Sequence, residues 1–508
     1  MNWLFNKKNL IQNILSLIFI LEMLLILVVG YYYWQWQSWS KFNLLIVAGL
    51  ISVESIRNVV IFFYKRTFKA LGFFVYLFSL LIGLLYTIFF RPEISLSAVG
   101  FYIIINFIGY LGLYFFWEVF KNKAWGQEFF RNFFKVFKFE EKQADILSVI
   151  TFLFGLCGWG IMYYMFFKYN NFPIFADNPS EARYLHFNGP YTNGLVRYFF
   201  RIGILLNITA LNIATFLLLR YKIKLFSILL IILNYLLGMS AIFISGLRGE
   251  VIGLLFFAYS IVLLQDNTIF SMIKRILLIT LIFMGLIMSM TLMRQKQFWF
   301  KSNPGLEITK LKQEPKPSTP PNKEEIKESK HNKPDKKNVI FRRIFNKKHI
   351  PLLMYMFAPE TAENAWLLLE FKKQGYSYTY GFTFLSDVLQ FIPSSLFKLR
   401  QKYDWGRLTL SLLDQEHNKS CGGIRSGDIT RSYINGGIYL VIIWSILVAF
   451  VYTRIEIINK HFSKDIMSTY VFSLLPLFLI MGSSLIINIY AMGGSLILGK
   501  WVVKCLGK

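Results

Sequence analysis

Apolar runs of about 20 residues recur along almost the whole chain, and each is long enough as a helix to cross roughly 30 Å of hydrocarbon. The strands of a membrane barrel would read as short alternating segments, which this chain lacks. With 55% hydrophobic and 18% aromatic side chains over 508 residues, the apolar content exceeds what a soluble core requires. The expectation is an all-α, polytopic integral membrane protein with about eleven or twelve spans.

The runs are Leu10 to Tyr33, Asn43 to Tyr64, Leu71 to Phe90, Ala98 to Val119, Ile146 to Phe167, Tyr198 to Leu219, Leu225 to Ile244, Val251 to Gln265, Ile276 to Met293, Ile434 to Tyr452 and Ser468 to Ile487. Asn488 to Val503, interrupted by Gly493 and Gly494, is a candidate twelfth. The chain then divides into amino-terminal spans over 1–293, a loop over 294–433 and carboxy-terminal spans over 434–508.

The formal net charge of +27 raises nucleic acid as a partner, but its placement argues against one, because every second short link is basic. With a cytoplasmic amino terminus, Lys7, Lys8, Lys65, Arg66, Lys69, the run from Lys121 to Lys142, Arg220, Lys222, Lys224, Lys274, Arg275, Arg454, Lys460, Lys464, Lys500 and Lys504 all fall inside. The short outer links keep Lys41, Arg91, Lys168, Arg183, Arg197 and Arg248, the asymmetry of a multi-pass protein of the bacterial cytoplasmic (inner) membrane. The first run is longer than a signal-peptide core and has no small-residue cleavage site, so it reads as an uncleaved anchor. Cys157, Cys421 and Cys505 fall in three different settings and form neither a disulfide framework nor a zinc pattern.

Between the fourth and fifth runs, Trp125, Phe129, Phe130, Phe133, Phe134 and Phe137 share one helical face, with Arg131, Lys135, Lys138 and Lys142 opposite. This predicts a helix over 124–142 lying on an anionic lipid leaflet, or docking a cytoplasmic partner. Ser302 to Lys348 is rich in Pro, Lys and Glu and poor in large apolar residues, the composition of a disordered insert. It is followed by a helical cap over 351–415. Pro359 to Lys373 has acidic residues in its first turn, Lys372 and Lys373 in its last and Gly375 beyond, and a second short helix is expected from Thr383 to Phe391. The loop faces away from the cytoplasm, and an outer cap of this size between two spans points to function.

Four outward features carry candidate chemistry. Ser245-Gly246-Leu247-Arg248-Gly249-Glu250 offers an arginine between two glycines: either a close-approach phosphate clamp, or a tight turn whose arginine reaches lipid headgroups. The link from Asn170 to Arg197 supplies Arg183 and Arg197, and Arg201 lies just inside the following span as a phosphate ligand or half of a structural ion pair. Tyr376, Tyr378 and Tyr380 stack on sugar rings or belong to an interfacial aromatic belt. Gly422-Gly423-Ile424-Arg425-Ser426-Gly427-Asp428, followed by Arg431 and Asn435-Gly436-Gly437, puts two arginines and an acid in a glycine-rich approach to a membrane helix. Within the bilayer, Glu54 and Arg57 lie three apart on one helical face, as a structural lock or a relay, and Glu22 stands alone in the first run.

Taken in order, the Phe172 to Tyr184 link, the Ser245 to Glu250 turn, the Tyr378 to Pro393 segment and the Gly422 to Gly437 approach resemble the O-antigen and capsule polymerases called Wzy. The resemblance runs from about residue 145 onward. Two departures are the charged insert at Ser302 to Lys348 and Leu247 where the family commonly has a small residue. It implies a fold similar to the GT-C glycosyltransferases. The implied activity joins oligosaccharide repeat units carried on undecaprenyl pyrophosphate, with a chain-length regulator protein as a further partner. It also implies that Arg248, Arg183, Arg425 and Arg431 hold pyrophosphates while Glu250, Asp428 or His417 takes the acceptor proton. With no DxD in the cap, neither a metal nor another cofactor is expected. Two other functions remain: an O-antigen ligase, and a flippase or ion-coupled transporter, although no internal repeat of the transporter kind is evident.

Overall fold

The computed structural model describes residues 39–265 except 66, 93, 124, 171 and 176–193, together with 269–294, 361–373, 378–389, 408, 427–461, 466–475 and 486–506. The first run, with Glu22, and the insert at 302–348 lie outside these residues. The described chain is helical, with no strand among the described residues. The long helices are α1 (Lys41–Lys65), α2 (Phe68–Phe90), α3 (Leu96–Lys121), α5 (Ala144–Lys168), α6 (Gly194–Arg220), α7 (Leu225–Ser245), α8 (Arg248–Gln265) and α9 (Ile269–Arg294). Between α3 and α5 lies the short α4 (Gln127–Lys135), and α10 (Thr361–Lys373), α11 (Phe382–Val388), α12 (Asp428–His461), α13 (Ile466–Ser473) and α14 (Ile486–Leu506) complete the order.

Eight helices among the described residues are long and apolar enough to span a membrane: α1, α2, α3, α5, α6, α7, α9 and α12. This is a multi-pass membrane protein. The apolar part of α8, Gly249–Leu263, is shorter. At 1.5 Å per residue it covers only about 22 Å. Of the eleventh run, the start is described in α13 and its last two residues, Ile486 and Ile487, begin α14, which continues through Gly493 and Gly494 as one helix over the candidate twelfth.

Close approach of α5 and α6 depends on small residues. A Cβ on Gly158 would lie 2.4 Å from the backbone nitrogen of Asn207, and one on Gly203 would lie 3.1 Å from the Gly158 carbonyl. In lipid, where apolar burial between helices gains little, such backbone proximity holds helices together.

The aromatic face of α4 is divided in use. Phe134 and Phe137 are buried, Phe137 packing beside Gly493 of α14, while Trp125, Phe129 and Phe133 are exposed. Lys500 also donates to the Val136 carbonyl at 2.7 Å, fixing α4 across the end of the bundle. Just beyond α4, Glu140 and Gln143 form a capping box, and the Lys142 ammonium at 2.9 Å holds the Glu140 carboxyl below the usual carboxylate range.

The helix expected over Pro359 to Lys373 is present as α10. It lies over the ends of α2 and α3 with Ala365, Leu367, Leu368 and Phe371 buried, and Arg91 at the end of α2 donates to Glu363 at 2.7 Å. This end of the bundle is the cap end below.

Helix α12 begins six residues before the expected tenth run and is broken. Gly436 (φ −172°, ψ 33°) and Gly437 (φ +63°, ψ −154°) leave helical geometry, and Gly437 occupies the left-handed region that favours glycine. The limb over 428–435 places Ile429 against Gly109 and Tyr433 against Phe101, with ring centroids 5.4 Å apart. It thus runs from the middle of α3 toward the cap end. After the break the chain turns back: Ser445 Oγ donates to the Gly109 carbonyl at 3.0 Å, Phe450 meets Phe120, and Arg454 reaches the Phe120 carbonyl. The two limbs form a hairpin with its tip at Gly436-Gly437.

Candidate functional site

Polar residues gather at two places in the bundle. The first lies where α6, α8, α13 and α14 converge. The α7–α8 turn closes with Gly246 at φ +69°, its amide donating to the Phe243 carbonyl at 3.0 Å. That left-handed position ends α7 and starts α8 within three residues, which sets Glu250 in the first turn of α8. Glu250 lines a cleft of ≈ 10 Å³, about the room of one water molecule. Asn212 of α6, Tyr470 of α13, Asn488 of α14 and the backbone of Gly249 and Gly253 line it too.

Helix α6 links this cleft to two of the expected arginines. Positions 197, 201, 208 and 212 fall within a 60° sector of a helix turning about 100° per residue. Arg197 and Arg201 therefore stand on the face that ends at Ile208 and Asn212 in the cleft, nearer the start of α6 by two to four turns. Arg201 is exposed. The Arg197 and Arg248 side chains lie outside the described residues, as do Arg183, His417 and Arg425 entirely.

The second part is the hairpin of α12 and the loop before α11. Asn435 joins them: its Oδ1 accepts from Thr379 Oγ1 at 2.6 Å and from the Gly381 amide at 3.0 Å, while its Nδ2 donates to Thr383 Oγ1 at 2.6 Å and to the Arg431 carbonyl at 2.8 Å. The last carbonyls of the first limb, Ile434 and Asn435, accept from the amides of Thr379 and Tyr380 at 3.3 and 2.7 Å. A helix end that would otherwise leave orphan acceptors is thereby satisfied by the cap.

Arg431 is 3% exposed. Its Nε donates to Thr383 Oγ1 at 3.1 Å, Nη2 donates to the Thr383 carbonyl, and the guanidinium lies 5.2 Å from the Phe384 ring centroid. Asp428, expected at the outer start of a span, is instead 2% exposed at the foot of the first limb, one residue from Ile429 and its contact with Gly109. Tyr378 packs between Phe371 and Tyr433 at 6.0 and 6.5 Å, whereas Tyr380 is 75% exposed.

The structure therefore gathers Glu250 with the Arg201 face of α6, and separately gathers Asp428, Arg431 and Tyr378 about the hairpin. Asn212, Tyr470 and Asn488 were not singled out from the sequence. The signal for Asn212 was its spacing from Arg201, eleven residues on along one face of a span. Among the described residues no group of three or more His, Cys, Asp or Glu is arranged to hold a metal. Compared with family models, curated proteins and solved structures, the chain matches none.

Proposed function

We propose that this chain polymerises undecaprenyl-pyrophosphate-linked oligosaccharide repeat units into O-antigen or capsular polysaccharide at the outer face of a bacterial cytoplasmic membrane. In this reading the amino terminus is cytoplasmic, the cap end faces outward and the scaffold is GT-C-like. The observation that supports it is one face of α6, on which Arg201 and, one turn earlier, position 197 lead two to four turns along the helix to Ile208 and Asn212 of the Glu250 cleft.

That arrangement suits the chemistry. The acceptor hydroxyl oxygen bonds to the anomeric carbon of the donor sugar as the bond from that carbon to the phosphate oxygen breaks. Undecaprenyl pyrophosphate departs with the electron pair, and the arginines stabilise its charge. Glu250 receives the hydroxyl proton, and Tyr380, exposed on the cap, stacks against the glycan.

The test is to supply the full chain in vesicles with a defined lipid-pyrophosphate oligosaccharide. The expected product is a ladder of glycans, with Glu250→Gln and Arg201→Ala each lowering its yield by about 100-fold. A single transfer to a lipid A core would select a ligase instead. The broken helix at Gly436-Gly437 favours one other reading, transport, because transporters bind substrate at interrupted helices. Movement of the lipid-linked substrate across the vesicle, with no new glycosidic bond, would replace the polymerase by that reading.

A further inference from the structure

Helix α4 lies at the end of the bundle opposite the cap, between the last turn of α3 and the first turn of α5, and it has three faces rather than the two that its sequence suggests. Phe129 and Phe133 fall about 40° apart on a helix turning about 100° per residue, Phe130 and Phe134 about 100° further round, and Arg131 and Lys135 about 100° beyond those. The second face is the one the bundle uses. Phe134 is buried, and Phe130 meets Phe450 of α12 with ring centroids 6.1 Å apart. The first face is left over: Phe129 is 69% exposed, Phe133 47% and Trp125, just before the helix, 65%.

Neighbouring aromatic side chains facing water are costly, and the position of these identifies what covers them. Helix α3 ends at Lys121 and α5 begins at Ala144, so the short links on both sides hold α4 at the level where two spans leave the hydrocarbon. Lys500 of α14 donates to the Val136 carbonyl at 2.7 Å, and its neighbours Ile497, Leu498 and Trp501 are exposed as well. The uncovered face of α4 therefore continues the apolar outer surface of the bundle. The third face supplies the charge. Residues 121–142 contain six basic and three acidic side chains, and Lys135 and Lys138 are exposed and make no ion pair among the described residues. Lys123 lies 5.9 Å from the Trp125 ring centroid, which sets a cation beside an exposed aromatic. Rings for the acyl boundary and ammonium groups for the headgroup level together match an anionic lipid surface.

We propose that α4 binds the anionic phospholipids of the leaflet at this end of the bundle, with Trp125, Phe129 and Phe133 inserted at the acyl boundary and Lys135 and Lys138 attracted by headgroup charge. The site goes beyond the polymerase reading, because it involves neither the donor, the acceptor nor a proton transfer.

The experiment places the full chain in bilayers containing brominated phosphatidylglycerol or brominated phosphatidylcholine, whose bromines quench tryptophans that they touch. Subtracting the emission of Trp125→Phe from that of the wild type isolates Trp125, and the variant keeps the fold because this ring is exposed. Both lipids are expected to quench the difference, phosphatidylglycerol at the lower mole fraction. Replacing Lys135 and Lys138 together by Gln is expected to weaken that preference by up to about 5-fold per lysine at low salt, and added salt is expected to weaken it in the wild type. Quenching by neither lipid would leave the face to a soluble protein or a second copy of the chain and overturn the proposal. Equal quenching by both, indifferent to the lysines, would make α4 an apolar anchor without anionic recognition and overturn it too. None of these readings depends on glycan synthesis, so the two proposals stand or fall separately.

Discussion

Arg57 and Glu54 lie side by side on one face of α1, with Arg57 Nε donating to Glu54 Oε2 at 2.6 Å and both side chains almost fully buried. Tyr110 of α3 donates to the same carboxylate, Asn58 Nδ2 donates to it at 3.2 Å, and the guanidinium lies 5.0 Å from the Tyr114 ring centroid. The pair is thus neutralised and hydrogen-bonded between two helices, the arrangement of a lock. Removing one partner leaves a buried charge. Arg57→Met should destabilise the protein by about 3–5 kcal/mol, and adding Glu54→Gln should recover most of that loss. Thermal unfolding of the single and double variants measures it; a single variant as stable as wild type would show that the pair is not a lock.

The Asn435 amide holds the cap to the hairpin by three hydrogen bonds, so Asn435→Ala should act on the cap before it acts on the bundle. Loss of a buried network member costs about 1–3 kcal/mol, which corresponds to roughly 5- to 150-fold easier opening. Hydrogen exchange over 378–388 should accelerate by that factor, with exchange in α5 and α6 unchanged. Uniform acceleration across all helices would show that Asn435 supports the whole fold rather than the cap.

Two glycines of α5, two residues apart, should respond oppositely to the same change. A Cβ on Gly158 meets the backbone of Asn207 at 2.4 Å, where nothing can give, while a Cβ on Gly160 meets nothing within 4 Å. Gly158→Ala should therefore cost about 1–3 kcal/mol by forcing α5 from α6. Gly160→Ala should be neutral or stabilise by up to about 1 kcal/mol, because it removes backbone freedom from the unfolded helix. Melting temperatures of the two variants provide the check, and equal effects would contradict the packing described.

The extent to which this was legible in the sequence follows from range. Spans such as Phe68–Phe90 and Leu225–Ser245 were readable because hydropathy over 20 residues is a local property, and the same holds for α10 with its acidic start and basic end. The hairpin of α12 was not. Asn435-Gly436-Gly437 read as part of a glycine-rich approach to a membrane helix, since nothing local reveals that the carbonyls of Ile434 and Asn435 find their donors 55 residues away at the amides of Thr379 and Tyr380. Arg201 and Glu250 were both singled out, but as features of separate links; only the packing of α6 against α8 shows that one face of α6 leads to the Glu250 cleft. The amide of Asn212 escaped notice because a lone asparagine in an apolar run is ordinarily a residue bonded to its own helix, and half of it is.

Arg454 extends the argument to the end of the bundle opposite the cap. It is fully buried in α12, and its Nη2 donates to the Phe120 carbonyl at 2.7 Å while Nη1 donates to that of Lys123. The Phe120 carbonyl lies in the last turn of α3 and the Lys123 carbonyl just beyond it, where the helix dipole is negative, so the cation is stabilised by the carbonyl end of the helix. Lysine keeps the charge but has no planar fork to reach two acceptors at once. Arg454→Lys should therefore cost about 1.5–3 kcal/mol, the contribution of one charged hydrogen bond, and should speed hydrogen exchange over 118–123 more than in the cap. The nearby Phe450 ring, 5.4 Å from the guanidinium, also packs against Phe120 and Phe130 of α4. Loosening Arg454 should consequently expose α4 to protease as well, and an Arg454→Lys protein whose α4 stays as resistant as wild type would mean that the arginine closes α3 alone.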